Sequence, residues 1–282
     1  MSAMRHEHET SPFARLIRGV LTAAAAAGCL IGLATAAGAQ EEALEPEHHH
    51  WHFNGPFGAF DRGALQRGYQ VYREVCAACH SMQYLSFRNL GQEGGPFYDE
   101  EYPNPNDSPV IAALAAQFTV QDGPDDTGSM FDRPRRPSDP LPSPFPNDSF
   151  ARLANGGALP PDLSVIVKAR HHGPDYLRSL LSGYVQPPED VTIPPGSYYN
   201  PWFEGGQIRM APPLPEGRVI YADGTEATTE QMSEDVAEFL TWAADPHTEG
   251  RKRLGAIVIA YLAILSVLLW FSYKRLWRNV KH

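Results

Sequence analysis

Cysteine is scarce in this chain, with three in 282 residues, and basic residues are scarce over most of its length. Cys29 falls in an apolar N-terminal stretch, so only Cys76 and Cys79, three positions apart, remain for the rest of the chain. A disulfide framework needs more cysteines, spread further apart, and that class is excluded. A zinc site needs two more ligands at knuckle spacing, and no second cysteine pair exists. From residue 40 to residue 253 there are 16 Lys and Arg against 31 Asp and Glu, a net charge of −15. Such a surface argues against nucleic acid as a partner and suits a basic protein partner steered by the field. There is no internal repeat. With 43% hydrophobic and 20% charged residues, the composition is that of a foldable chain rather than a disordered one.

Two segments stand apart from the globular part. Arg15 and Arg18 precede an apolar, Ala-rich run from Val20 to Ala36, which ends in Ala37-Gly38-Ala39. That is the layout of a secretory signal peptide, and residues 1–39 are expected to be cleaved. At the other end, Leu254 to Tyr273 holds twenty residues without a charge, flanked by Arg251, Lys252 and Arg253 on one side and Lys274, Arg275, Arg278 and Lys281 on the other. A helix of that length spans about 30 Å, the thickness of a bilayer core. Trp270, Tyr273 and Trp277 sit where an aromatic belt would lie. The expected organisation is therefore a signal peptide (1–39), an exported domain (40–253), a transmembrane helix (254–273) and a cytoplasmic tail (274–282).

Within the exported domain, His48, His49, His50 and His52 cluster around Trp51 in a polar stretch, which is expected to be a flexible mature N-terminus rather than a metal site. Asp61 should cap a helix carrying Leu65, Tyr69 and Tyr72 on one face. Eleven prolines between 96 and 146 predict a long irregular excursion, possessing no regular element and of open role. Asp162 should cap a short helix from Leu163 to Lys168, and Pro174 with Asp175 should start another. Val219 to Tyr221 could pair as a short strand. Thr228 and Gln231 read as a capping box for a helix over 228–243 whose apolar face is Met232, Val236, Phe239 and Leu240.

Cys76-Ala77-Ala78-Cys79-His80 carries the chemistry. C-x-x-C-H is the attachment pattern for c-type haem: two thiols at i and i+3 can reach one porphyrin, and the next residue offers an imidazole to the iron. An exported setting agrees with this. A thioredoxin-like dithiol would sit near a βαβ pattern, which is missing. The second axial ligand is typically Met. Met82 is too close to His80 to reach the opposite face, Met232 reads as core, and Met130 lies in the Pro-rich excursion. Met210, followed by Ala-Pro-Pro in a stiff loop, is favoured among the four. Another anchored monohaem cytochrome and a haem peroxidase with an open sixth position share parts of this pattern.

The stretches RGYQVYREVCAACHSMQYLSFRNL (67–90), ARLANGGALPPDLSVIVKARHHGPDYLRSLLSGY (151–184), YYNPWFEGGQIRMAPPL (198–214) and the segment from DGTEATTEQMSEDVAEFLTWAADP onward (223–282) resemble the cytochrome c1 family, haem subunits of quinol–cytochrome c reductase. The resemblance implies a mainly α c-type cytochrome domain with long loops and one C-terminal transmembrane helix, in a bacterial inner membrane with its haem domain in the periplasm. It implies one covalent haem c, attached through Cys76 and Cys79, with His80 and Met210 as axial ligands. It further implies Arg170 on a haem propionate with Tyr176 close by, and Asn155 and Pro161 in the pocket wall. The implied partners are cytochrome b, a Rieske iron–sulfur protein and a soluble or anchored cytochrome c, in a dimeric complex of a respiratory or photosynthetic chain. The subunit would make and break no bonds itself. Some bacterial relatives hold the methionine loop with an extra disulfide. This chain has no cysteines for one, so packing alone is expected to hold its loop.

Overall fold

The computed structural model describes residues 43–279, so the expected signal peptide and the last three residues lie outside the description. The fold is mainly helical. Helix α1 (Arg62–Glu74) starts where the Asp61 carboxylate accepts the Gly63 amide at 2.8 Å, and it runs into a single 3₁₀ turn at Cys76–Ala78. Then follow α2 (Phe87–Leu90), α3 (Pro109–Ala116), a hairpin of β1 (Thr119–Asp122) and β2 (Phe131–Pro134), α4 (Asp148–Ala154) and α5 (Pro174–Ser182). A two-residue ladder, β3 (Tyr198–Tyr199) with β4 (Gln207–Ile208), precedes α6 (Thr229–Ala244) and α7 (Thr248–Trp277).

The core is the seam between α1 and α6, with α5 on the other side of α6. Leu65, Tyr69 and Tyr72 bury one face of α1 against Met232, Val236, Phe239 and Leu240 of α6, the stripes read from the sequence. The two backbones approach closely at Gly68. A Cβ there would fall 2.1 Å from the Asp235 carbonyl oxygen and 2.6 Å from the Phe239 Cβ. Arg67 spans the same seam, its guanidinium meeting the buried Asp235 carboxylate at 3.0 and 2.9 Å and Asp223 at 3.0 Å. Thr228 caps α6, its hydroxyl accepting the Gln231 amide at 3.1 Å.

Four expectations fail here. The Pro-rich stretch is not wholly irregular. Ser108 caps α3, Pro109 takes the first helical position where no N–H is needed, and the β1–β2 hairpin follows. Residues 163–168 form successive turns rather than a helix. Asp162 does accept the Ser164 amide at 2.9 Å, but its other oxygen is drawn to Ser81 and Gln83, which keeps the segment against the chain after His80. Val219 and Tyr221 are buried without pairing as a strand.

The histidine-rich segment is not flexible. Trp51, Phe53 and Phe60 are buried in the core, and the buried Asp175 carboxylate accepts from His48 Nδ1, the His49 amide and the Trp51 indole. Residues 44–60 thus form a strap, and the strap reaches the foot of α7. Glu249 accepts the Phe60 amide at 2.9 Å and pairs with Arg62 at 2.7 Å, while Lys252 Nζ donates to the Phe53 and Gly58 carbonyls. Helix α7 holds the expected uncharged run, begins six residues before it, has a mean hydropathy of 2.5 over its apolar window and buries none of that window. Among the described residues it is the one helix long and apolar enough to cross a membrane.

Candidate functional site

Helix α1 delivers the two thiols. Beyond Val75 the chain tightens into the 3₁₀ turn, and the Cys79 and His80 amides both donate to the Cys76 carbonyl, at 3.1 and 2.8 Å. Residues three apart on such a turn face the same side. Both sulfurs are free. Burial pushes the Cys76 thiol up to about 12, so it is a neutral thiol at physiological pH, whereas Cys79 is exposed.

His80 is held by a second segment. Its Nδ1 lies 2.8 Å from the Pro161 carbonyl oxygen. A carbonyl can only accept, so Nδ1 carries the proton and Nε2 keeps its lone pair for a ligand bond. Burial lowers the imidazole pKa, and the Pro161 hydrogen bond and the nearby Asp162 charge oppose it only in part. The neutral, metal-binding form is therefore favoured. Asp162 braces this arrangement, accepting from the Ser81 hydroxyl at 2.7 Å and the Gln83 amide at 2.9 Å, and the Leu163 amide donates to the Ser81 carbonyl at 2.9 Å.

Met210 follows the β3–β4 ladder. Of the four methionines weighed from sequence, Met82 and Met232 are fully buried in the core and Met130 is exposed on the hairpin, while Met210 is half-buried on its loop. That loop is not held by packing alone. The Tyr184 hydroxyl donates to the Met210 carbonyl at 3.1 Å, and Arg209 donates to the Gly156 carbonyl at 2.6 Å and to that of Pro195 at 3.5 Å. Beneath it, the buried Asn200 amide donates to the Leu180 carbonyl at 2.8 Å, fixing the ladder on α5.

The remaining candidates fall into place around these two supports. Asn155 ends α4, its amide donating to the Ala151 carbonyl at 2.7 Å, and the next residue, Gly156, receives Arg209. Arg170 is exposed, donates to the Ala169 carbonyl at 2.9 Å and lies near Tyr176, whose hydroxyl pKa is raised mainly by its own burial and lowered in part by the Arg170 charge. Burial is also the main cause of the raised Tyr184 pKa, with Tyr176 and Tyr198 near enough to add to it. The structure therefore joins His80 to Pro161 and Met210 to the neighbourhood of Asn155 and to Tyr184, and it sets Arg170 near Tyr176. Among the described residues no hydrogen bond joins the His80 support directly to the Met210 loop. No local signal marks Tyr184, 26 residues from the carbonyl it binds, whereas Arg209 stands beside Met210 in the chain.

This donor set fits a haem: two reduced thiols on one turn, a neutral imidazole with Nε2 free, and a thioether on a braced loop. Leu153, Leu159 and Val165, close in sequence to Asn155 and Pro161, leave 80%, 37% and 40% of their surfaces exposed, apolar surface of the kind a porphyrin would cover. A bare metal ion is not served, because among the described residues no three His, Cys, Asp or Glu side chains converge to hold one.

Comparison with known proteins agrees. A family model described as the cytochrome C1 family matches residues 51–280. The chain is 47% identical to cytochrome b/c1 of Bradyrhizobium diazoefficiens over 94% of its own length, spanning 40% of that longer protein. It is 48% identical to the mitochondrial cytochrome c1 haem protein of Saccharomyces cerevisiae over 86% of the chain and 75% of the relative. It is 41% identical to cytochrome c1 of Rhodospirillum rubrum over 93% of the chain and 98% of the relative.

Proposed function

Since the chain belongs to the cytochrome c1 family, we propose that it is the membrane-anchored haem subunit of a quinol–cytochrome c reductase, passing single electrons from a Rieske iron–sulfur protein to a cytochrome c. The observation that carries this reading is the 2.8 Å contact between His80 Nδ1 and the Pro161 carbonyl, directly after two free thiols on one turn. Cys76 and Cys79 hold a haem c by thioether bonds, and the bound group supplies one-electron chemistry between ferric and ferrous iron. His80 presents Nε2, oriented through Nδ1. Met210 presents its thioether from the loop tied by Tyr184 and Arg209. Arg170, beside Tyr176, offers a guanidinium to a haem propionate, and Asn155 and Pro161 belong to the pocket wall. None of these residues needs to make or break a bond in turnover.

The −15 charge between residues 40 and 253 favours fast, salt-sensitive docking of a basic electron acceptor. The domain stands in the periplasm of a bacterial inner membrane and the tail with Lys274 and Arg275 in the cytoplasm, beside cytochrome b in a dimeric complex. The test is to purify the membrane complex through this chain, denature it and record a pyridine haemochrome spectrum, then measure antimycin-sensitive quinol–cytochrome c activity on the native material. Covalent haem and that activity are expected together. A chain free of covalent haem overturns the reading.

A further inference from the structure

A cleft of about 440 Å³ lies where the strap meets the anchor, between the turn at Pro56–Ala59 and the first turns of α7. Its walls differ in character. Phe57, 88% exposed, and Ala256 and Ile257 of α7 form an apolar side, and Glu249, Lys252 and Arg253 form a charged side.

The charges do not cancel. The Glu249 carboxylate is matched by Arg62 at 2.7 Å. Lys252 donates only to the neutral carbonyls of Phe53 and Gly58, which leaves it one of its three N–H groups and all of its charge. Arg253 is exposed and has no ion pair among the described residues. Two positive charges are therefore uncompensated at the mouth of a partly apolar cleft, next to Leu254, where the uncharged run begins. A soluble anion would satisfy the charge and leave Phe57 and Ile257 in water. A molecule with an anionic head and a hydrocarbon tail satisfies both walls, and the site sits at the depth where such heads lie.

We infer that this cleft binds the headgroup of one anionic phospholipid, with Arg253 and the free N–H of Lys252 on the phosphate and Phe57 and Ile257 against the start of an acyl chain. The site is independent of the haem assignment, because none of its residues belongs to that centre.

The experiment uses the full-length protein, extracted with whatever subunits stay bound, washed in detergent and assayed for retained phospholipid by mass spectrometry. Wild type is expected to keep phosphatidylglycerol or another anionic phospholipid in preference to phosphatidylcholine. Arg253→Gln, which removes no hydrogen bond or ion pair among the described residues, should lower anionic lipid retention several-fold, leaving zwitterionic lipid and haem content unchanged. Lys252→Gln should do the same and loosen the strap besides. A photoreactive phenylalanine analogue in place of Phe57 should cross-link to lipid. Equal anionic retention in wild type and Arg253→Gln, displacement by millimolar inorganic phosphate, or cross-linking of position 57 to polypeptide each overturns the proposal.

Discussion

The His80 imidazole and the Pro161 carbonyl, 81 residues apart, meet at 2.8 Å, and through this contact the segment after α4 sets which nitrogen of His80 carries the proton. The Asp162 carboxylate locks the same segment to Ser81 and Gln83. The histidine is thus positioned from two directions, by the turn that carries it and by a loop distant in sequence.

Asp162 makes that brace sensitive to acid. Burial raises its pKa, but hydrogen bonds from Ser164, Gln83 and Ser81 outweigh burial and hold it below the usual carboxylate value. A group with its folded pKa depressed binds fewer protons folded than unfolded. Its stabilisation is full above the unfolded value of about 3.9 and is lost as pH falls through the folded pKa. Asp162→Asn is expected to cost about 1–3 kcal/mol at neutral pH and to flatten the loss of stability below pH 4, as read in urea melts across a pH series. An unchanged acid limb would remove Asp162 from this role.

Met210→Leu is expected to lower the haem midpoint potential in a redox titration and to let the reduced protein bind carbon monoxide, since a thioether ligand raises the potential and fills the sixth position. Arg209→Ala, which cuts the tie to Gly156, should weaken the loop by about 1 kcal/mol and shift the potential less. If Met210→Leu leaves the potential where it was, the distal ligand lies elsewhere.

Gly68→Ala is expected to destabilise the domain by about 1–3 kcal/mol or more, through overpacking. This runs against the roughly 1 kcal/mol that alanine gains in a helix, because the new Cβ would meet the Asp235 backbone at 2.1 Å. Gly250→Ala in α7, with nothing within 4 Å, should show only the helix gain. Thermal melts of both variants decide it: equal signs would mean the α1–α6 seam is looser than described.

Trp51→Ala is expected to cost about 3–5 kcal/mol, the loss for a large buried aromatic. Asp175→Ala, which releases His48, the His49 amide and the Trp51 indole at once, should open residues 44–60 to limited proteolysis. A strap that stays protected in Asp175→Ala would show that its apolar contacts suffice.

What could be read beforehand was local. Asp61, Thr228 with Gln231, and Pro174 announce helix starts because a cap acts within three residues of itself, and the α1 and α6 stripes follow from a 3.6-residue period. The attachment motif and the anchor are equally self-contained. In 96–146 the number of prolines says less than their position. Pro109 at the first helical position favours α3, and no proline interrupts the residues up to Gln117. The strap has no local signature, because Trp51 packs into the core and its indole bonds to Asp175, 124 residues away. Tyr184 and Arg209 likewise earn their places through carbonyls of distant residues, and carbonyls leave no trace in a sequence.

The clamp of Glu249 and Lys252 on the strap removes the hinge that a head and its anchor would otherwise share. Helix α7, 30 residues long and so about 45 Å, becomes a lever tied at its foot to the strap. Bilayers of different thickness change the tilt of a spanning helix, and here a change of tilt would swing the whole head as one body. The lipid environment would then set the height and aspect of the segments that carry His80 and Met210.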